Sequence, residues 1–457
     1  MYIGIITLLG LILRLIYSNQ SFWLDEGASL MFAKLPIPQL VESIKTDFHP
    51  PIFYSLLHYW LPLAGRSEWL IRLPFIILAT ATIPVIFLLC REIFGTKSTI
   101  PVVSALFLAL NPLHIYYSQE LRMYSLVSLL IVLSWLFLVR KKIQMVAIIN
   151  VLCLFTFYGA IFNIVAEVIY LLFNKSKNYF GHVIFISVPA LVVFVLWWPV
   201  FSAQLSNGNY LKTFLPGWQA LSGSLTLKSL ILIPLKFILG RISFQPQTLY
   251  YLVGGSLVLI FFSIITNSFR NKKTKLFWIA LITPLLFGSI ISLKTPMLGY
   301  WRFLYVLPFF FVLLASGIEA MPRVIKFGTI IWVCGTFIFF NIFFWTNPKF
   351  HREDWRGLAR FLSGKESQLV IAFPYKFAPL YFYETYTLVV PLLDANYHRI
   401  PVDQNFETSK PVYYLDYLAD ITDPNRTILK SLSGLKLKQT GVYNFNNLGQ
   451  VYEFQPL

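Results

Sequence analysis

Tyr2-Ile3-Gly4-Ile5-Ile6-Thr7-Leu8-Leu9-Gly10-Leu11-Ile12-Leu13-Arg14-Leu15-Ile16-Tyr17 reads as a first membrane span, and Asp25-Glu26 follows shortly after it. Two adjacent carboxylates at the lip of a membrane helix are costly to keep there without a task. Next along the chain comes His49-Pro50-Pro51-Ile52-Phe53-Tyr54. Tyr116-Tyr117-Ser118-Gln119-Glu120-Leu121-Arg122-Met123-Tyr124 then stands at another predicted span end. An acid pair, a histidine and a second cluster of acid and arginine, all on one side of a membrane, describe a site built at the interface.

Composition agrees with that class. The 457 residues are 57% hydrophobic and only 12% charged, against about 25% charged in soluble domains. The chain is predicted to be an α-helical polytopic membrane protein. Its net charge of +17 is dispersed between spans, as cytoplasmic Lys and Arg are in membrane proteins, so nucleic-acid binding is not expected. Cys90, Cys153 and Cys334 lie in apolar stretches with no CxxC, which points away from a disulfide scaffold or a zinc site. The first apolar run lacks a basic flank and a small-residue cleavage site, so it is expected to be retained.

Apolar runs of about 20 residues place eleven spans near 2–17, 70–90, 98–115, 122–139, 143–158, 159–173, 181–200, 248–269, 276–292, 301–318 and 326–346. As one helix, 143–173 would be about 46 Å long, too long for a core of about 30 Å, so two spans turning near Tyr158-Gly159 are expected. With the N-terminus inside, Arg140-Lys141-Lys142, Lys175 with Lys177, the Arg270 to Lys275 cluster, and Arg323 with Lys326 all face the cytoplasm, as the positive-inside rule requires.

The same count puts 18–69, 201–247 and 347–457 outside. In the first of these, Glu26 to Lys45 and Ile52 to Trp60 read as interfacial helices. In the second, Pro216 and Trp218 precede a run from Leu225 to Leu239 that reads as a re-entrant or interfacial helix. The chain thus divides into a transmembrane domain, 1–346, and a small extracytoplasmic α/β domain, 347–457. The tail carries an amphipathic helix from Asp354 to Leu362. Strands are expected at Leu369–Phe373, Pro411–Leu415 and Val451–Phe454, and Asp423-Pro424 opens a further helix.

Taken in order, the acidic pair after span one, HPPxxY at 49–54, YSQExRxY at 117–124 and Tyr300-Trp301-Arg302-Phe303 resemble the GT-C membrane glycosyltransferases. They are most similar to bacterial relatives of the protein O-mannosyltransferases and of the aminoarabinose and galacturonic acid transferases. The resemblance covers roughly 1–320. It implies a GT-C-like fold at the cell membrane and transfer of a sugar from a polyprenyl-phosphate carrier to an extracytoplasmic acceptor, whether glycan, lipid or protein.

That chemistry needs a carboxylate to take the acceptor hydroxyl's proton and cations to meet the growing charge of the departing lipid phosphate. On the resemblance, Asp25 is the base, Glu26 orients the acceptor or Asp25 itself, and Glu120 is a second acid. Arg122, Arg302 and His49 are the donor-phosphate candidates. Tyr54, Tyr117, Gln119 and Tyr124 are candidate substrate contacts.

Each residue also has a plainer reading. Asp25 could cap a surface helix, and Glu120 could form a local salt bridge with Arg122 or a neighbouring basic group. The arginines could snorkel from span ends, His49 could be structural, and the tyrosines could belong to the aromatic belt. Arg14 is expected to snorkel, and Glu167, one turn from Asn163, to be a hydrogen-bonded acid inside the bundle. No HxxH, DxD or acid triad stands outside the membrane, so metal-independent chemistry is favoured and no cofactor is expected, although some relatives use a divalent cation. The rival readings are a transporter or flippase of lipid-linked sugars, which calls for repeat symmetry and midplane charges, a polysaccharide polymerase or ligase, and a non-catalytic scaffold.

Overall fold

A computed structural model describes residues 2–174, 178–214, 217, 223–373, 378–383, 388–392, 407, 409–435 and 437–457. Lys175, Lys177, Pro216 and Trp218, named above, lie outside the described residues. Helices occupy all eleven expected positions: α1 (Tyr2–Leu15), α5 (Glu68–Phe94), α6 (Ile100–Leu110) with α7 (Pro112–Ser118), α8 (Tyr124–Val139), α9 (Ile143–Thr156), α10 (Ile161–Asn174), α11 (Tyr179–Phe214), α13 (Gln247–Thr266), α14 (Lys275–Ile291), α15 (Leu307–Glu319) and α16 (Arg323–Thr346). By length and composition six are able to cross a membrane, or seven if α6 and α7 are counted as one bent span. The others are shorter apolar helices. α9, for example, has 14 residues, about 21 Å at 1.5 Å each.

Several boundaries differ from the expectation, each for a local reason. α9 and α10 separate where Phe157 is extended and Tyr158–Ala160 form a 3-10 turn, at the anticipated Tyr158-Gly159 break. The span expected as 98–115 is bent by 59° between α6 and α7. Pro112 has no N–H to continue the ladder, and the Asn111 side chain caps α7 by accepting the His114 N–H at 2.9 Å. The span expected at 301–318 opens with 3-10 turns from Tyr300 to Val306 before α15. The outer segment expected from 201 instead begins with the last turns of α11, which runs to Phe214.

The 18–69 segment holds α2 (Leu24–Lys34), α3 (Ile37–Ser43) and α4 (Ile52–Ala64). Pro36 splits what was expected as one helix from Glu26 to Lys45. α12 (Leu227–Leu239) starts at a Thr226 cap. α15, together with the 3-10 turns that precede it, is the central rod and is 89% buried. α11, at 17%, lies on the periphery.

Arg14 does not snorkel. It is fully buried and donates to the carbonyls of Gly10, Leu108 and Ala109 and contacts His114 Nδ1 at 2.8 Å. The bend after α6 leaves those last carbonyls without helical partners, and the guanidinium of α1 supplies donors. Glu167 accepts from Ser134 and Asn150 and from Asn163, its neighbour on α10. This is the hydrogen-bonded interior acid expected from the sequence.

Beyond α16 the chain forms a sheet of β1 (Gln368–Ile371), β2 (Leu388–Pro391), β3 (Val412–Leu415), β4 (Leu437–Phe445) and β5 (Gly449–Pro456), in the order β2-β1-β3-β5-β4. β1 runs parallel to β2 and β3, while β5 is antiparallel to both β3 and β4. Alternation along the strands separates two cores. Leu369, Ile371, Tyr413 and Leu415 pack on α17 (Trp355–Leu362). Val370, Val412, Tyr414 and Phe454 pack on α20 (Thr427–Gly434) on the other face. The short helices α18 (Leu380–Tyr383) and α19 (Ala419–Thr422) complete this part.

Candidate functional site

The site forms where the chain leaves α1 and enters α2. Trp23, not Asp25, is the residue that caps α2, so both carboxylates lie in its first turn. They point to different places. Glu26 is fully buried and takes two bonds from Arg72 of α5, Nε to Oε1 at 2.9 Å and Nη2 to Oε2 at 2.6 Å. It also accepts the backbone N–H of Leu121 at 3.0 Å. Arg72 donates in turn to the carbonyls of Ser18, Gln20 and Ser21. Glu26 is therefore an anchor that fixes α2 against α5 and the 120s loop.

Asp25 is half-buried, and of the charges acting on Arg122 its own is the strongest. Arg122 is buried, and among the described residues its Nε has no hydrogen-bond partner. Tyr54, Tyr124 and Asp47 share its electrostatic neighbourhood. His49 and Arg302 belong to the same neighbourhood. Burial, then Arg122 and then Arg302, hold the His49 imidazole well below its usual range and keep it neutral. Arg302 donates through Nη1 to the Pro296 carbonyl at 2.8 Å, and its charge interacts with Tyr124, Arg122 and Asp25. Asp25, His49, Arg122, Arg302, Tyr54 and Tyr124, far apart in sequence, thus come together.

Asp47 was missed by the sequence reading. The Tyr54 hydroxyl donates to its Oδ2 at 2.5 Å. Burial raises the Asp47 carboxyl, against the pull of Arg122 and Tyr54. Its place two residues before His49-Pro50-Pro51 was the available signal.

Other candidates are engaged elsewhere. Gln119, expected at the substrate, is buried and donates to the carbonyls of Arg14 and Ile16 at 2.9 and 2.6 Å, closing the end of α1. Glu120 pairs with Arg352 at 3.2 Å rather than with Arg122. Burial outweighs that guanidinium and pushes the Glu120 carboxyl up to about 7. The Tyr117 hydroxyl accepts from Arg241 at 3.4 Å, and its ring meets those of Tyr116, Tyr124 and Tyr300. Arg241, whose guanidinium lies 5.3 Å from the Tyr116 ring centre, is a second cation that the sequence did not single out.

The tail packs against α2 and the 120s loop. Arg352 donates to the carbonyls of Gln119 and Tyr116 as well as to Glu120. Its Nη1 lies 3.9 Å from Glu26 Oε2. Glu353 accepts the Leu24 N–H at 3.1 Å, the Trp355 indole N–H at 2.7 Å and the Tyr417 hydroxyl at 2.7 Å. Burial pushes its carboxyl up to about 7. Arg356 pairs with Glu68 at 2.5 Å, and Tyr381 donates to the Gly27 carbonyl at 2.7 Å. The residues on either side of Asp25 are thus held by Arg352 and Glu353, a pair with no local motif to reveal it. Among the described residues no three His, Cys, Asp or Glu side chains converge on one point.

The arrangement can hold a half-buried carboxylate beside a guanidinium, a neutral imidazole and a second arginine, which suits proton removal next to a developing anion. Residues 48–201 match the family model of dolichyl-phosphate-mannose-protein mannosyltransferases. No curated protein is similar to the chain at a significant level. Among solved structures, the chain is similar to ArnT from Cupriavidus metallidurans in the apo state, with a TM-score of 0.58 and 12% identity over 99% of this chain and 97% of that one. The same protein bound to undecaprenyl phosphate gives 0.57, with 12% identity and the same coverage. The apo oligosaccharyltransferase from Archaeoglobus fulgidus gives 0.51, with 10% identity over 86% of this chain and 64% of that one.

Proposed function

On the premise that this chain has the fold of the GT-C superfamily of membrane glycosyltransferases, we propose that it moves a sugar from a polyprenyl-phosphate carrier to an acceptor hydroxyl outside the cytoplasm. The observation that carries the reading is the half-buried Asp25 in the charge field of the buried Arg122, with His49 and Arg302 in the same neighbourhood. The acceptor oxygen attacks the anomeric carbon and forms the new C–O bond. The bond from that carbon to the phosphate oxygen breaks, and its electron pair leaves with the lipid phosphate. Asp25 takes the hydroxyl proton late in this step. Arg122, Arg302 and the His49 region meet the charge that grows on the phosphate. Tyr54 and Tyr124 border the sugar, and Glu26 keeps Asp25 in place.

Undecaprenyl phosphate bound in the ArnT structure supports a polyprenyl phosphate as carrier. An eleven-span topology with this site and the tail outside fits the basic short loops. The reaction is proposed to run without a metal cofactor, so a chelator should leave turnover unchanged.

The test is release of free lipid phosphate from a panel of polyprenyl-phosphate sugars by purified protein. Asp25→Asn should bind donor and lose about 100-fold to 10,000-fold in transfer. Glu26→Gln should instead lower stability, because it strips the charge that faces buried Arg72. An Asp25→Asn protein transferring sugar at near wild-type rate refutes the assignment.

A further inference from the structure

A cavity of about 400 Å³ lies between α12, the turn leading into α13, and the Lys349-Phe350 pair after α16. Lys228, Lys236 and Lys349 line it together with Gln245, Gln247 and Tyr250, and among the described residues no carboxylate does. Lys236 is only 6% exposed. Its Nζ donates to the Ile242 carbonyl at 2.5 Å and lies 5.2 Å from the Tyr250 ring centre. Among the described residues no acid pairs with it, and the buried Tyr250 hydroxyl has no hydrogen-bond partner. A buried ammonium without a counter-charge and a buried hydroxyl without a partner are both expensive, and both side chains line this cavity. An anion in the cavity would supply the counter-charge that Lys236 lacks among the described residues.

The same elements indicate what carries the anion. Leu227, Leu230 and Ile231 of α12 and Leu249 and Leu252 of α13 are exposed, so the lysines open beside an apolar outer surface. A ligand with a charged head and an apolar chain matches both parts. Tyr300 stands between this cavity and the site around Asp25. Lys236 Nζ lies 5.9 Å from its ring centre, and on another side that ring meets Tyr117. The cavity therefore neighbours the transfer site without sharing the cations beside Asp25.

We propose that this cavity is a second anion subsite, which takes the phosphate-ester head group of an amphiphile while the apolar chain lies over α12 and α13. Ammonium groups suit phosphate as point charges on flexible stems. The head group could belong to a lipid acceptor or to the carrier after transfer; the chemistry is shared. The role of the cavity as a substrate subsite rests on the transfer reading above, whereas the binding itself does not.

The test uses the full-length protein in phosphatidylcholine nanodiscs, titrated separately with dioleoyl phosphatidic acid and with undecaprenyl phosphate. Lys236→Met should weaken binding of at least one probe by about tenfold or more, the size expected for one lost charge-assisted contact. Lys228→Gln with Lys349→Gln changes only exposed residues, so it tests the same cavity without endangering the fold and should weaken that probe too. Loss confined to phosphatidic acid assigns the cavity to an acceptor-type lipid. Loss confined to undecaprenyl phosphate assigns it to the carrier. Unchanged binding of both probes in the double variant, with an unchanged melting temperature, overturns the proposal. Failure of sugar transfer in an otherwise normal protein would count against the function above and leave this binding result standing.

Discussion

Arg352→Met removes the guanidinium that joins the tail to the site while keeping much of the side-chain bulk. Arg352 Nη1 lies 3.2 Å from Glu120 Oε2, and both side chains are only 2% exposed. At that separation and an effective dielectric of about 20, the attraction is about 5 kcal/mol before desolvation. Stripping one partner from a buried pair typically costs about 3–5 kcal/mol. The Gln119 and Tyr116 carbonyls lose a donor as well. Glu120 can escape part of the cost by taking a proton, since its carboxyl already stands at about 7. The loss should therefore be larger at pH 8, where taking up that proton costs more, than at pH 6.

Function should suffer too, because Arg352 and Glu353 hold both flanks of Asp25. A shift of about 1 Å in a reacting group can cost about 100-fold, so turnover should fall by that order while donor binding persists. Thermal unfolding at pH 6 and 8, limited proteolysis between α16 and α17, and single-turnover transfer measure the three effects. Adding Glu120→Gln should recover about 1–3 kcal/mol, the coupling range of contacting residues. Wild-type protease resistance and turnover in Arg352→Met at both pH values would refute the idea that the tail braces the site.

Arg302→Ala should weaken donor binding and turnover, and Arg302→Lys should restore only part, because an ammonium lacks the fixed fork of a guanidinium; unaltered donor affinity in Arg302→Ala removes this residue from the phosphate site. Glu120 and Glu353 both stand at about 7 in the folded protein, above about 4.3 for a free Glu. The folded state thus keeps protons that the unfolded chain has released. Stability should fall as pH rises from about 4.3 to about 7 and level off above that. Melting temperatures across that window should show a shallower fall in Glu120→Gln, and an identical slope would remove Glu120 from the account. A reporter fused after Leu457 should be active outside the cytoplasm; activity only inside would sink the eleven-span topology.

Helix positions were legible because helices are local objects. Each backbone bond closes within four residues, so runs such as 326–346 and the break at Tyr158-Gly159 are written in neighbouring side chains, whereas the bend at Pro112 was not anticipated. That Asp25, His49, Arg122 and Tyr124 gather at one place was legible from their span-end positions. Partner choice was not. Glu26 meets Arg72 46 residues away, and Glu120 meets Arg352 232 residues away, so the nearby Arg122 is left to face Asp25.

Gln119 was misjudged for the same reason. Its amide looked available within its motif, but the packing of α7 against α1 brings it to carbonyls of Arg14 and Ile16 that lack helical donors. Asp47 was signalled only by its place beside His49-Pro50-Pro51, and Arg241 and the Lys228–Lys236–Lys349 cavity carried no local pattern at all. The sequence by itself determined the class of the protein, the places of its helices and the kinds of charge at its interface. The tertiary structure alone decided which charges are neutralised by protein and which stay open to a ligand. A side chain's charge is intrinsic, but its counter-charge depends on where distant segments come to rest, and burial then makes each such pairing costly to break or to leave unmade.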